Sequence, residues 1–282
     1  ALPKDLAADV FSYLTPELTE ELVSLLSDPE LGMIVDELFL DDAADMVAEL
    51  PADVVRRILK NASDDTRSGI NQLLQYQEDS AGSIMTTEYI DLSADMTVEE
   101  SFKHIREVGM DKETIYTCYV VDNKETLIGV VTVKTLLLSK YADKIGDIMS
   151  SANIISVSTN DDREHVAEIF QKYDFMALPV VDSENHLVGI VTVDDAMEVL
   201  EEENTEDIEK MGGLLPSEDE YLKTSILTLF KNRIPWLMIL MISATFTGAI
   251  ITSFEDALAV QVALTAFIPM LMDTGGNSGS QS

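Results

Sequence analysis

Apolar residues recur at three- and four-residue spacing in five short runs, near 16–26, 30–39, 42–49, 52–60 and 64–75, which predicts amphipathic helices. Each run follows a helix starter: Thr15-Pro16, Asp28-Pro29, Asp41, Pro51 and Ser63. Short helices stacked in this way predict a small α-solenoid over residues 1–80. From 84 to 203 the pattern changes to alternating strand and helix, and it repeats. YVVDNKETLIGVVTVKTLL (119–137) matches LPVVDSENHLVGIVTVDDAM (178–197) almost position for position. IMTTEYIDLSADMTVEESFKHI (84–105) matches IMSSANIISVSTNDDREHVAEIF (148–170) more loosely, so the period is near 60 residues. Each copy reads strand, helix, strand, hairpin, strand, helix, and Thr97 with Glu100 forms a capping-box pattern.

A polar connector follows over 204–233, broken by Gly212-Gly213 and Pro216. Ser217-Glu218-Asp219-Glu220 reads as a second capping box, starting a helix through YLKTSILTLFKN. The run IPWLMILMISATFTGAIITSF (234–254) then has no charge over 21 residues, long enough to span a bilayer. Lys231 and Arg233 flank its start and Glu255 and Asp256 its end, so the positive-inside bias puts residues 1–233 in the cytosol. A second apolar run, ALAVQVALTAFIPMLM, is expected to lead back across the membrane. It ends in DTGGNSGSQS, whose glycines and serines permit close helix contacts in lipid. With neither a signal peptide nor an initiator Met, the sequence reads as a piece cut at both ends.

Composition narrows the function. Fifty-two acids against 18 bases give a formal charge of −34, which argues against nucleic acid and against an anionic lipid surface as partner of the acidic part. A hydrophobic content of 46% is too high for a disordered acidic tail, so folded surfaces carry the charge. Such a surface repels itself unless cations neutralise it. One cysteine, Cys118, makes neither a disulfide framework nor a metal cluster. His104, His165 and His186 lack ligand spacing, and no P-loop, nucleophile elbow or triad pattern is present, so nothing suggests an enzyme. The methionines at 238, 241, 270 and 272 read as packing or lipid-facing residues.

The densest acid lies in GIVTVDDAMEVLEEENTEDIEK (189–210). Nine carboxylates occupy the sixteen residues from Asp194 to Glu209, with Lys210 the one base at the end. Like charges at i,i+4 cost roughly 0.2–0.5 kcal/mol per pair. Asp195, Glu198, Glu202, Glu206 and Glu209 form one stripe if the helix is continuous through Asn204-Thr205, and a solvated face normally mixes signs. Individually, several acids have a plain structural use. Asp161, Asp162 and Glu164 lie where a helix begins after Thr159, and Glu206 and Asp207 follow Thr205, a plausible N-cap.

GVVTVKTL and GIVTVDDA resemble the strand-to-helix signature of the cystathionine-β-synthase (CBS) module, here as a tandem pair. The whole order, with VTVDDAMEVLEEENTEDI, AGSIMT (81–86) and PMLMDTGGNSGSQS (269–282), resembles the MgtE family of magnesium channels and transporters. The implied fold is multidomain: an all-α solenoid-like N-domain (1–80), an α/β CBS-pair domain (81–203, copies 84–143 and 148–203), a connecting helix (204–233), then the start of an α-helical membrane domain (234–282). The resemblance implies a homodimer in the plasma (inner) membrane, multi-pass, whose ion path lies between membrane segments. It also implies a cytosolic Mg²⁺ sensor that closes the pore when carboxylate-bound Mg²⁺ bridges N-domain, CBS pair and connecting helix. The pore carboxylate of that family lies beyond the segments present here.

Matched onto that sensor, the CBS ligands fall on Asp162, Glu164, Asp174, Asp195 and Glu198, the last where an Asp is usual. Those of the connecting helix fall on Glu203, Glu206 and Asp207, and the N-domain candidates are Asp41, Asp42 and Asp45. Mg²⁺ takes oxygen ligands and keeps several waters, so carboxylates from two surfaces suit it. ATP is the other candidate ligand: the second repeat has Gly189, Thr192 and Asp195 in a G-x-x-T-x-x-D ribose pattern. In the first repeat Thr135 replaces the Asp after Gly129 and Thr132, which argues against ATP. Two competitors follow: a nucleotide-sensing CBS module of a transporter for another divalent cation, and an acidic scaffold whose charge only solubilises.

Overall fold

The computed structural model describes residues 3–216 and 224–281, and the chain divides into two units, Ala1–Glu203 and Asn204–Ser282. Six short helices open the first unit: α1 (Lys4–Ser12), α2 (Pro16–Leu25), α3 (Asp28–Val35), α4 (Leu40–Glu49), α5 (Ala52–Asn61) and α6 (Asp64–Leu73). They bury one apolar core that includes Phe11, Leu31, Val35, Val47, Ile58 and Ile70. The helices depart from the spacing pattern in three places. α1 is additional, Ser27 with Glu30 caps α3 one residue ahead of Asp28-Pro29, and α4 starts at Leu40. Asp41 is therefore no starter but a buried residue of the first turn of α4.

Two three-stranded sheets follow, β1 (Asp91–Ser93), β2 (Thr117–Val121) and β3 (Leu127–Thr132), then β4 (Val157–Ser158), β5 (Ala177–Val181) and β6 (Leu187–Thr192). The helices are α7 (Val98–Val108), α8 (Val133–Leu138), α9 (Ile145–Ile148), α10 (Arg163–Tyr173) and α11 (Val193–Met211). In each sheet the first strand pairs parallel with the second and the second antiparallel with the third, with the same irregularity at Val120/Val121 and at Val180/Val181. The expected Thr97–Glu100 capping box starts α7.

The repeats interlock reciprocally. Thr86 exchanges both backbone hydrogen bonds with Ile190 of β6, and Ser150 does the same with Val130 of β3. A Cβ on Gly189 would meet Met85 Sδ at 2.6 Å, and Met149 lies under Gly129 in the matching way, so both positions need the bare backbone. The two hairpins also exchange bonds, Leu127 N–H to Asn185 O at 3.1 Å and Leu187 N–H to Glu125 O at 3.0 Å. The N-domain packs on the second repeat: Ala44 and Leu73 share a core with Met85, Phe170, Leu178 and Ala196.

α11 is one helix of 19 residues running through Asn204 and Thr205, so Thr205 is not an N-cap, and the acidic stripe is continuous. Gly213, at φ +67°, turns the chain after it, where a Cβ would strike the Trp236 ring, and Leu215 N–H donates to Asn232 O at 3.2 Å. The Ser217–Glu220 capping box lies outside the described residues. Ser225 instead caps the next helix, α12 (Ile226–Ser253), so no helix continues through Thr224 and Ser225. At 28 residues α12 is about 42 Å long, more than the ~30 Å hydrocarbon core needs. The second apolar run breaks up into α13 (Glu255–Val260), a 3₁₀ turn at Val262–Ala266 and α14 (Phe267–Ser280). Among the described residues α12 alone is a helix long and apolar enough to span; the second expected segment is broken into these shorter pieces.

Candidate functional site: carboxylates between the N-domain and the CBS pair

The first turn of α4 points its free backbone N–H groups at the CBS pair, and Glu88 meets them. Its Oε2 accepts the Leu40 N–H at 2.9 Å and the Thr86 hydroxyl at 3.2 Å. Glu113 is held beside it, its N–H donating to the Glu88 carbonyl at 2.9 Å. Across from them α11 begins with Asp194 and Asp195, and Asp195 accepts both the Thr192 hydroxyl and the Thr192 N–H. The G-x-x-T-x-x-D pattern thus serves here as a helix cap that orients a carboxylate.

These groups raise one another's affinity for protons. Burial pushes Asp41 well above the usual carboxylate range, and Asp195, Glu113 and Asp42 add to it. Asp45 keeps an exposed edge, yet the protein around it and then Asp195 and Glu198 push it up to about 7. Burial, then Asp194 and Asp195, take Glu113 to about 7. Asp195 rises to about 6, burial outweighing its bonds to Thr192. Glu88 is raised by burial against the pull of the Leu40 N–H and of Lys112, and Glu198 by burial and then Glu202.

The structure therefore brings together Asp41, Asp42 and Asp45 of α4 with Asp195 and Glu198 of α11. It spreads the other expected ligands. Asp162 caps α10, accepting the Glu164 N–H at 2.9 Å, and Glu164 is exposed beside it. Asp174 ends the same helix in the left-handed region at φ 53°. Glu203 pairs with Arg163 at 3.3 Å and Glu206 with Lys210 at 2.5 Å, while Asp207 is exposed on α11. Sequence reading missed Glu88 and Glu113, which lie in loops of the first repeat. The available signal was the repeat itself: Glu88 stands opposite Ala152, and Glu113 lies in a loop, 109–116, that the second repeat shortens to 174–176.

All donors in the cluster are hard oxygens, and mutual repulsion is the condition a divalent cation relieves. Among the described residues no three such side chains converge into a closed cage. On the other side of the pair, Tyr116, Thr132, Lys134, Leu138 and Met176 line an open groove of about 610 Å³.

The family described as the MgtE intracellular N domain matches residues 1–79, and the CBS domain family matches 81–140 and 145–202. The magnesium transporter MgtE of Thermus thermophilus is 42% identical over 286 residues, covering all of this chain and 63% of its own length. The chain thus spans about three-fifths of that relative. The crystal structure of the cytosolic domain of the Mg²⁺ channel MgtE in complex with ATP is 41% identical, with TM-score 0.67, over 70% of this chain and 81% of that one. The soluble part of a magnesium transporter is 33% identical, with TM-score 0.69, over 72% of this chain and 79% of that one. With the N-domain and CBS families matched in turn and these relatives at 33–42% identity, the chain belongs to the MgtE family.

Proposed function

We propose that this chain belongs to a Mg²⁺ channel or transporter that takes up Mg²⁺ across the plasma membrane, and that its first unit senses Mg²⁺ on the cytosolic side. The observation that carries the sensor is the set of carboxylates gathered on α4, α11 and the loops of the first repeat, which burial first and their mutual repulsion second hold above their ordinary proton affinity. Asp41, Asp42 and Asp45 would hold Mg²⁺ from the N-domain, and Asp195 and Glu198 from the CBS pair, in part through the ion's waters. Bound Mg²⁺ replaces repulsion with attraction and favours the docked arrangement, a population shift set by its better binding to that state. Several weak sites, each contributing about RT ln(1 + [L]/Kd), sum to a steep response. In the full assembly, α12 enters the bilayer as one span of a multi-pass protein, residues 1–233 face the cytosol, and two chains form a homodimer. Glu164, Asp174, Glu206 and Asp207 would then serve sites outside the α4 cluster.

ATP is the second candidate ligand, and Thr135 in place of the Asp counts against it. The groove at Tyr116 and Lys134 offers an aromatic face, a cation and the Thr132 hydroxyl, although it lacks the ribose-binding Asp.

The test is a Mg²⁺ titration of the detergent-solubilised chain, following protease protection of residues 74–83, with Na⁺ at matched ionic strength. Saturable protection by Mg²⁺ alone, lost in Asp45→Ala with Asp195→Ala, supports the sensor. Equal protection by Na⁺ reduces the acids to screened charge.

A further inference from the structure

Arg163 sits where three carboxylates from two segments meet. Its Nε lies 3.2 Å from Asp79 Oδ1, off the direction of a hydrogen bond. Nη1 donates to Glu202 Oε2 at 2.8 Å, and Nη2 lies 3.3 Å from Glu203 Oε1. The backbone is tied as well, Arg163 N–H donating to Asp79 O at 3.0 Å, with Asp79 in the left-handed region at φ 60°. Asp79 belongs to the segment that joins the N-domain to the CBS pair, whereas Glu202 and Glu203 lie on α11. The guanidinium is three-quarters buried, with 25% of the side chain exposed.

The run of α11 contains a single base, Lys210, placed at its far end beside Glu206. The cation at Glu202 and Glu203 is instead supplied from another helix, α10. A guanidinium presents five donors in a rigid fork, carries a permanent charge and is weakly hydrated, so it can hold several carboxylates without a bound ion. Glu203 is also one of the residues that the family resemblance assigns to Mg²⁺.

We infer that Arg163 is a tethered cation that occupies a position otherwise open to a hydrated divalent ion, so that Asp79, Glu202 and Glu203 join α11 to the linker without a Mg²⁺ of their own. Arg163 is a positioning residue: it fixes Glu202 and Glu203 and thereby the register of α11 on which Asp195 and Glu198 stand. The inference rests on the Mg²⁺-sensor reading above.

Arg163→Gln in the full detergent-solubilised chain tests it, with Arg163→Lys as the conservative partner. Equilibrium dialysis counts bound Mg²⁺, and hydrogen exchange over residues 199–203 follows the tie itself. Expected for Arg163→Gln are faster exchange without Mg²⁺, restoration of protection by Mg²⁺, one additional Mg²⁺ bound per chain, and a several-fold higher Mg²⁺ midpoint for protection of 74–83. Arg163→Lys should stay near the native ion count. An unchanged count and midpoint in Arg163→Gln, or faster exchange that Mg²⁺ does not restore, overturns the inference and assigns Arg163 a merely structural role. Absence of Mg²⁺-specific protection in the native chain would remove the sensor reading and this inference with it; a native chain that responds, beside an Arg163→Gln chain that responds identically, removes only the latter.

Discussion

The Glu88 carboxylate accepts the Leu40 backbone N–H at 2.9 Å, joining a loop of the CBS pair to the first turn of a helix 48 residues earlier in the chain. An anion at a helix N-terminus is favoured both by the free N–H groups and by the dipole. Glu88→Ala leaves that N–H without its partner, at a cost of about 1–3 kcal/mol. The expected result is faster hydrogen exchange at Leu40–Ala43 in Mg²⁺-free protein. Glu88→Gln keeps an acceptor and should recover most of the protection; equal loss in both variants would mean that the charge, not the bond, holds α4.

The proton affinities of the cluster set a pH dependence. In the folded chain Asp45 and Glu113 titrate near 7 and Asp195 near 6, above the ordinary 3.8, 4.5 and 3.8. Between these limits the folded state binds more protons than the unfolded one, so stability falls as pH rises. Without divalent cations, docking of α4 should be strongest near pH 4 to 5 and be lost progressively through pH 6 to 7. Protons and Mg²⁺ compete for the same oxygens, so the Mg²⁺ midpoint should fall as pH rises over that range. Protease protection of 74–83 in chelator, measured against pH, reads the first trend, and Mg²⁺ titrations at pH 6 and 8 read the second.

Charge and shape separate at Asp195. Asp195→Asn retains an acceptor for Thr192 and removes a half-buried charge, so the Mg²⁺-free chain should dock more firmly while its response to Mg²⁺ shrinks. Asp195→Ala also loses the cap of α11, worth about 1 kcal/mol. Thermal melts with and without Mg²⁺ distinguish the two; a full Mg²⁺ response in Asp195→Asn would place the ion elsewhere.

The N-domain depends on a different ion. Arg57 Nη2 donates to the Leu26 carbonyl at 2.6 Å, Nη1 to the Val23 carbonyl, and Nε to Asp28 at 2.9 Å, which closes the end of α2 and the start of α3. Arg57→Ala should cost about 1.5–3 kcal/mol, the range for hydrogen bonds to a charged group. Lys, a point donor without the fork, should rescue little. Faster exchange confined to residues 19–31 is the expected signature.

Periodicity and duplication made the architecture legible from the residues. Five helices of the N-domain lie close to the runs that spacing marked, and each repeat keeps the order of strands and helices read from the duplication. What stayed hidden depends on contacts distant in sequence. α11 runs on through Thr205, a residue suited to capping, and local sequence preference there points the other way. Glu88 and Glu113 gain meaning only once α4 lies against them. Asp162 and Glu203 carry the right side chains, yet a cap and an arginine claim them first.

The reciprocal interlock of the two repeats gives the CBS pair two equivalent seats for a neighbour. One is furnished with Glu88, Glu113, Asp194, Asp195 and Glu198, and α4 lies in it. At the positions of the other that match Glu88, Asp194, Asp195 and Glu198 stand Ala152, Lys134, Thr135 and Leu138. Lys134 and Leu138 line the open groove. Duplication supplied the same furniture frame twice, and divergence upholstered one half in acid and the other in carbon with a single positive charge. A guest shaped for one seat is therefore refused by the other, and a symmetric backbone behaves as a directional one.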